Sequence, residues 1–388
     1  MIAFAIAALA AAAWAYLLLG RGDFWRAAER DDTGVVGRVA VAWPRVIAIV
    51  PARDEAALIV TSLGSLLRQE YPGDFRIILV DDHSSDGTAA AARNAASAAG
   101  ASERLTIVSA PDLAPGWTGK LAAMHCGTCH VDGLPEPPDY LFFTDADIGY
   151  TADALTSLVA RAQRDRLVLN SLMAKLHCVS FSERALMPAF IFFFQMLYPF
   201  AWVNRPQRPT AAAAGGCMLV QRKALAAVGG LAAIRGELID DCALGRLLKK
   251  QGPIRLALTE RARSLRAYAS LAEIRPMISR SAYAQLRYSP WLLLGTVVAL
   301  GVTCLAPPFL AVCTSGPPQW LGAGAWAGMA LALQPTLRFY GISRLWGAAI
   351  PAIAAVYLAF TLDSACQQLR GRGGMWKGRA QGGAPGRR

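Results

Sequence analysis

Short runs of β-branched and aromatic residues recur along the first two thirds of the chain: VIAIV from Val46, RIILV from Arg76, LTIV from Leu105 and YLFFT from Tyr140. Longer amphipathic or Ala-rich stretches lie between them. Continuous apolar runs alternating with helical periodicity predict buried parallel strands, with right-handed crossovers placing helices on both faces of one sheet. This α/β pattern holds from Val46 to about Tyr268. Outside it the apolar runs lengthen. Residues 2 to 19 carry no charge and are long enough to cross a bilayer as a helix. Roughly 291 to 313, 319 to 334 and 345 to 363 are three further stretches of that kind, divided by Pro, Gly and Arg.

Composition agrees with a chain partly in lipid. Hydrophobic types make up 54% and charged types 17% of the 388 residues, against about 25% charged in soluble domains. The net charge of +12 gathers beside the apolar runs, at Arg21, Arg26 and Arg30, at Arg338 and Arg344, and in the tail from Arg370 to Arg388. That placement fits the positive-inside rule and attraction to anionic headgroups. No basic helix or aromatic-interleaved patch stands out, so nucleic acid is not an expected partner. Arginines follow the first apolar run instead of preceding it, which favours a retained anchor over a cleaved signal peptide. Three C-terminal crossings that start inside would leave the basic tail outside, so the parity of that region stays open. The run from Leu186 to Val203 (LMPAFIFFFQMLYPFAWV) is expected to lie in the membrane interface, because a crossing there would separate carboxylates that belong together. A core helix of the soluble domain is the alternative.

The eight cysteines are scattered and form no disulfide framework. Cys126-Gly-Thr-Cys129-His130 matches a c-type haem attachment pattern. It falls inside an expected helix of a cytosolic domain, on the wrong side for that chemistry.

In doubly wound sheets, ligands bind beyond the carboxyl ends of the strands, so the residues following each run carry the chemistry. YLFFT leads into Asp145-Ala-Asp147, whose carboxylates share a face and suit Mg²⁺ or Mn²⁺. RIILV ends in Asp81-Asp82-His83-Ser84-Ser85-Asp86-Gly87-Thr88, where Asp86 fits a helix cap and Asp82 sits at the tip. VIAIV ends in Pro51-Ala-Arg53-Asp54-Glu55, and Asp54 suits either a cap or a nucleoside contact. Gly215 and Gly216 precede another apolar run, CMLV, and allow a close backbone approach.

These motifs, with GWTGK (Gly116 to Lys120) and IDDCALGRLLKKQG from Ile239, resemble those of the family-2 inverting glycosyltransferases of GT-A fold, over about 45 to 290. FFFQMLYPFAWVNRP, TAAAAGGCMLV, IDDCALGR and QLRYSPWLLLG are most similar to the hopanoid-biosynthesis-associated members, and more distantly to ceramide glucosyltransferases. The resemblance implies an anchor at 1–20, a GT-A domain at 45–290 with an interfacial segment near 186–203, membrane helices at 291–363 and a basic tail at 364–388. It implies a nucleotide-diphosphate sugar donor, a lipid acceptor and a divalent ion, at the cytoplasmic side of the cell membrane. By position, Pro51, Asp54, Glu55 and Asp82 would line the nucleoside pocket. Asp145 and Asp147 would hold ribose and the metal-bridged diphosphate, with Lys120 near the donor. Asp241 would be the general base, beside Asp240, where relatives carry Glu. The family's Q/R-x-x-R-W motif is matched only partly by Gln285, Arg287 and Tyr288; Arg287 would stabilise the leaving group, and Gly216, Gln285 and Tyr288 would border the acceptor or diphosphate. Two other readings remain at this stage: a membrane-anchored binding protein of the same fold without activity, and a metal-dependent nucleotidyl or phosphoryl transferase.

Overall fold

The computed structural model describes residues 1–32, 42–371, 373, 375, 376, 379 and 380. The end of the basic tail, 381–388, therefore lies outside the described residues. The chain opens on helix α1 (Ile2–Leu19), then passes through β1 (Val46–Ala52), α2 (Ala56–Leu67), β2 (Phe75–Asp81), α3 (Thr88–Ala98), β3 (Leu105–Ser109), α4 (Gly119–Asp132) and β4 (Tyr140–Thr144). The four strands coincide with the four apolar runs. There follow β5 (Ile148–Tyr150), α5 (Ala154–Arg164), β6 (Leu169–Lys175), α6 (Phe181–Leu197), α7 (Phe200–Val203), β7 (Cys217–Gln221), α8 (Arg222–Ala227), α9 (Asp240–Leu248) and β8 (Ile254–Ser264). Five helices complete the order: α10 (Leu271–Gln285), α11 (Pro290–Leu300), α12 (Ala306–Cys313), α13 (Pro317–Tyr340) and α14 (Ile350–Leu369). The chain divides into two compact units, one made of Met1–Ala28, Cys178–Ala201 and Ala267–Gly374, the other of Glu29–His177, Trp202–Arg266 and Met375–Arg388.

The second unit is a mixed α/β sheet in the order β3-β2-β1-β4-β7-β6-β8-β5. β1 pairs in parallel with β2 and β4, and β2 with β3. β7 runs antiparallel to β4 and β6, and β5 antiparallel to β8. Every residue of β1 is buried, as expected of a central strand covered on both faces. Pro51 is tolerated there because the pairing with β4 ends at Ile49, so the missing N–H breaks no bond on that side. Gly127 of α4 has a packing reason for being glycine: a Cβ would come within 2.7 Å of Ile49 and 3.0 Å of Val80. This accounts for the glycine between Cys126 and Cys129, which are both free thiols.

In the helical unit, Trp14, Phe24, Phe192, Met329, Leu333 and Leu337 form a buried cluster. Ile2–Leu19, Pro290–Cys313 and Ile350–Leu369 are long and apolar enough to cross a membrane. Of the three C-terminal stretches singled out from sequence, the first and last are among them. α13 is 24 residues long but is interrupted in its apolar character by Gln, Gly and Arg. Pro290–Cys313 passes through a π turn at Gly301–Leu305, and Trp14 Nε1 donates to the Thr303 carbonyl at 2.8 Å. α6 belongs to this helical unit. Its start is fixed by a capping box between Ser180 and Glu183, and it ends before Tyr198 and Pro199.

Candidate active site

The parallel strands β1, β2, β4, β6 and β8 all end at one edge of the sheet. The start of β7 joins them, since Cys217 pairs with Thr144. Segments 52–55, 81–88, 145–147, 215–217 and 264–266 thus share that edge, although they are spread over more than two hundred positions of chain.

The first two segments are stitched together. Asp54 N–H donates to Ser84 Oγ at 3.0 Å, Glu55 N–H to Thr88 Oγ1 at 2.9 Å and Ala56 N–H to Asp86 Oδ2 at 2.8 Å. In return Ser85 N–H donates to Asp54 Oδ1 at 2.8 Å. The loop after β2 therefore caps the helix after β1. Asp54 and His83 both hold a left-handed backbone (φ 50° and 55°) to make this possible. The cap of α3 is Gly87 (φ 85°), with Asp86 accepting from Thr88 N–H. Asp54 thus has a structural function in the loop. Asp82 is buried, its carboxylate 3.5 Å from Arg53 Nη1 and 3.2 Å from His83 Nδ1.

Lys120, in the first turn of α4, gathers the next group. Its Nζ lies 2.6 Å from Asp145 Oδ1 and 3.8 Å from Asp240 Oδ2. Asp240 and Asp241 open α9. Asp241 accepts from Gly215 N–H at 2.9 Å and from Cys242 N–H at 2.7 Å, one bond on each oxygen. Gly215 fits because a Cβ there would stand 3.1 Å from Lys120 Nζ and 3.4 Å from Asp241 Oδ2. Burial and the neighbouring Asp240 push the Asp241 carboxyl up to about 6, against the pull of Lys120 and the two backbone donors. Burial works to lower Lys120, but Asp145, Asp240 and Asp241 together hold it above the ordinary lysine range. Asp240 Oδ2 is a buried acceptor without a hydrogen-bond donor among the described residues, a rare condition that a bound hydroxyl would relieve.

Asp147 faces a second cation. Arg266 Nε donates to Asp147 Oδ2 at 2.8 Å, and Arg266 Nη2 lies 2.6 and 2.7 Å from the two oxygens of Glu55. Burial and then Asp145 raise Asp147, opposed by Arg266. Sequence reading missed Arg266, yet the signal was present: it stands two residues past the last parallel strand, at the edge where ligand contacts are sought. Gly216 offers its carbonyl to Tyr150 Oη at 2.9 Å, so its backbone also supports the β4–β5 turn.

Gln285, Arg287 and Tyr288 belong to the helical unit and the carboxylates to the α/β unit. Gln285 Nε2 donates to Tyr198 Oη at 2.7 Å, and Tyr288 packs edge-on against Tyr283. Arg287 and Tyr288 take left-handed φ values of 52° and 55° in the turn between α10 and α11.

The donor set fits a divalent ion. Asp145 and Asp147 are hard oxygen ligands on one strand tip, and each already binds a positively charged nitrogen. Among the described residues no three His, Cys, Asp or Glu side chains converge on one ion position, so water and phosphate would supply the remaining ligands, as is usual for Mg²⁺.

The model of the Glycosyl transferase family 2 matches residues 47–229. This stretch is a family 2 glycosyltransferase domain, and the chain is a glycosyltransferase. The matched domain contains Lys120, Asp145, Asp147 and Gly215, and the Asp240–Asp241 pair follows it. The mannosyltransferase PcManGT from Pyrobaculum calidifontis, solved with GDP-Man and Mn²⁺, has the same fold at 22% identity. That likeness covers 92% of this glycosyltransferase and 99% of PcManGT, with a TM-score of 0.56. Glucosyl-3-phosphoglycerate synthase from Mycobacterium tuberculosis, solved with Mn²⁺, UDP and glucosyl-3-phosphoglycerate, is 20% identical over 66% of this chain and 84% of its own, with a TM-score of 0.42. Among curated proteins none matches.

Proposed function

We propose that this glycosyltransferase moves a hexose from a nucleoside diphosphate sugar to the hydroxyl of a membrane lipid, with inversion at the anomeric carbon and with Mg²⁺ or Mn²⁺ as cofactor. The observation that carries the reading is the meeting of Asp145, Asp240 and Asp241 around Lys120, since structure alone does not require three acids from two distant chain segments at one point.

In this mechanism the acceptor oxygen bonds to the anomeric carbon as the bond from that carbon to the diphosphate breaks. Asp241 takes the hydroxyl proton. Its two backbone hydrogen bonds fix the carboxylate's orientation, and its raised affinity for protons matches it to a hydroxyl partly ionised in the transition state. Asp240 offers a sugar hydroxyl the oxygen that no hydrogen-bond donor among the described residues occupies. Lys120 keeps the acids from repelling one another and from repelling the donor. When bound at Asp145 and Asp147, a divalent ion would offset the charge developing on the diphosphate. Arg287, Gln285 and Tyr288 are assigned to the acceptor or leaving group, and Pro51, Glu55 and Asp82 to the nucleoside. A single base fits one inverting displacement, since a double displacement needs a nucleophilic carboxylate as well.

Three helices able to cross a membrane support a lipid acceptor. The phrases around FFFQMLYPFAWVNRP and QLRYSPWLLLG favour a hopanoid or related polycyclic isoprenoid. In this arrangement residues 1–20 anchor the chain, 45–290 carry out transfer at the cytoplasmic face of the cell membrane and 291–363 embed the enzyme.

The test is to supply the full-length protein in lipid vesicles with a panel of UDP- and GDP-sugars, with and without Mn²⁺. Label is expected in the lipid extract together with released nucleoside diphosphate, only when the ion is present. Release of a monophosphate would point to phosphoryl or nucleotidyl transfer, and absence of turnover with every donor to a binding protein.

A further inference from the structure

Arg266 is lodged between two acids that reach it from different loops. One nitrogen contacts both oxygens of Glu55, after β1, and another contacts Asp147, after β4. The backbone holds the segment in register, with Leu265 N–H donating to the Asp147 carbonyl at 2.8 Å. The side chains of Glu55 and Asp147 are only 11% and 19% exposed, so the pair is weakly screened by solvent. A planar guanidinium with several donors is well suited to hold two carboxylates and equally suited to hold a diphosphate.

Asp147 is also the carboxylate assigned above to the divalent ion, and this inference rests on that reading. Two positive charges that share one carboxylate repel each other strongly in a partly buried setting. We propose that Arg266 is the resident counter-ion of the donor-free enzyme, competing with the divalent ion for Asp147 and giving way when a nucleoside diphosphate brings the ion. The arriving diphosphate offers the guanidinium a new anionic partner, so ion and donor enter together and the ion alone binds poorly. Such a device keeps free metal from filling the site in an unproductive order.

The experiment is a Mn²⁺ titration of the detergent-solubilised full chain, followed by the electron paramagnetic resonance signal of the free aqueous ion, with and without GDP or UDP. Wild-type protein is expected to bind Mn²⁺ weakly alone and much more tightly with the nucleotide. R266Q, which removes the charge and keeps a polar side chain, is expected to bind Mn²⁺ alone on the order of ten-fold more tightly than wild type, with a smaller gain from nucleotide. R266K, whose single ammonium cannot bridge both acids, falls between them. A merely structural arginine would not raise ion affinity when removed. Equal Mn²⁺ affinity of wild type and R266Q without nucleotide overturns the competition and leaves the ion site standing. If R266K alone folds, an affinity equal to the wild type's overturns it in the same way. If wild type binds no Mn²⁺ even with nucleotide, the ion site itself is wrong and the competition falls with it.

Discussion

Asp241 shows how much a single carboxyl owes to its surroundings. In the first turn of a helix and hydrogen-bonded to two backbone donors it would ordinarily be a strong acid, yet burial and Asp240 lift it to about 6. The proposed base must be ionised to act, so kcat/KM is expected to fall about ten-fold per unit as pH drops below about 6 and to level off above it. For folding the sign is opposite: with its folded pKa raised, this group contributes stability at low pH, which is lost as pH rises through about 6. Lys120 opposes the rise, so K120M should move the midpoint of the activity profile upward; a profile that stays in place would separate Lys120 from the base. At this scale the sequence was informative where acids follow strands, as at Asp145 and Asp147. It was silent on partners. Nothing in the spacing of Lys120, Gly215 and Asp241 reveals that they touch, because contacts across a sheet edge depend on strand order. Arg266 is silent in the same way, since no spacing along the chain ties it to Glu55 and Asp147, the two acids it meets.

The loops after β1 and β2 are the elements on which the proposed nucleoside side depends. Thr88, fully buried, accepts from Glu55 N–H and donates to Asp86 Oδ1 at 2.5 Å. T88V removes both bonds while keeping the shape. A loss of about 1 to 2 kcal/mol is expected, read as a lower melting temperature of the full-length protein, with weaker nucleotide binding because Glu55 loses its support. An unchanged melting temperature would mean that the stitch does not hold the loops. The parallel strands were readable from their continuous apolar runs, since burial on both faces leaves an unmistakable pattern. The antiparallel entry of β7 was not. An apolar run carries no direction, and only the fold shows that its first residue, not its last, stands beside Asp145.

At the scale of the whole molecule, two kinds of apolar run share one chain. The 54% hydrophobic content divides between a sheet core and helices that suit lipid, and this division was visible in run length alone. Less visible was the setting of α6, whose aromatic run was expected at the membrane interface with a core helix of the soluble domain as the alternative; its capping box and the Phe192 side chain in the helical cluster give it a place in the helical unit. The proposed chemistry, by contrast, concentrates at one sheet edge, where the acid that follows β4 and those that open α9 meet a lysine from α4. The most direct measurement of that claim compares wild type with D241N, full length and in vesicles, following labelled sugar from its nucleotide donor into lipid. The account predicts a loss of transfer of about 10²-fold or more in D241N, with the melting temperature and nucleoside diphosphate binding unchanged. Transfer by D241N at the wild-type rate would contradict it.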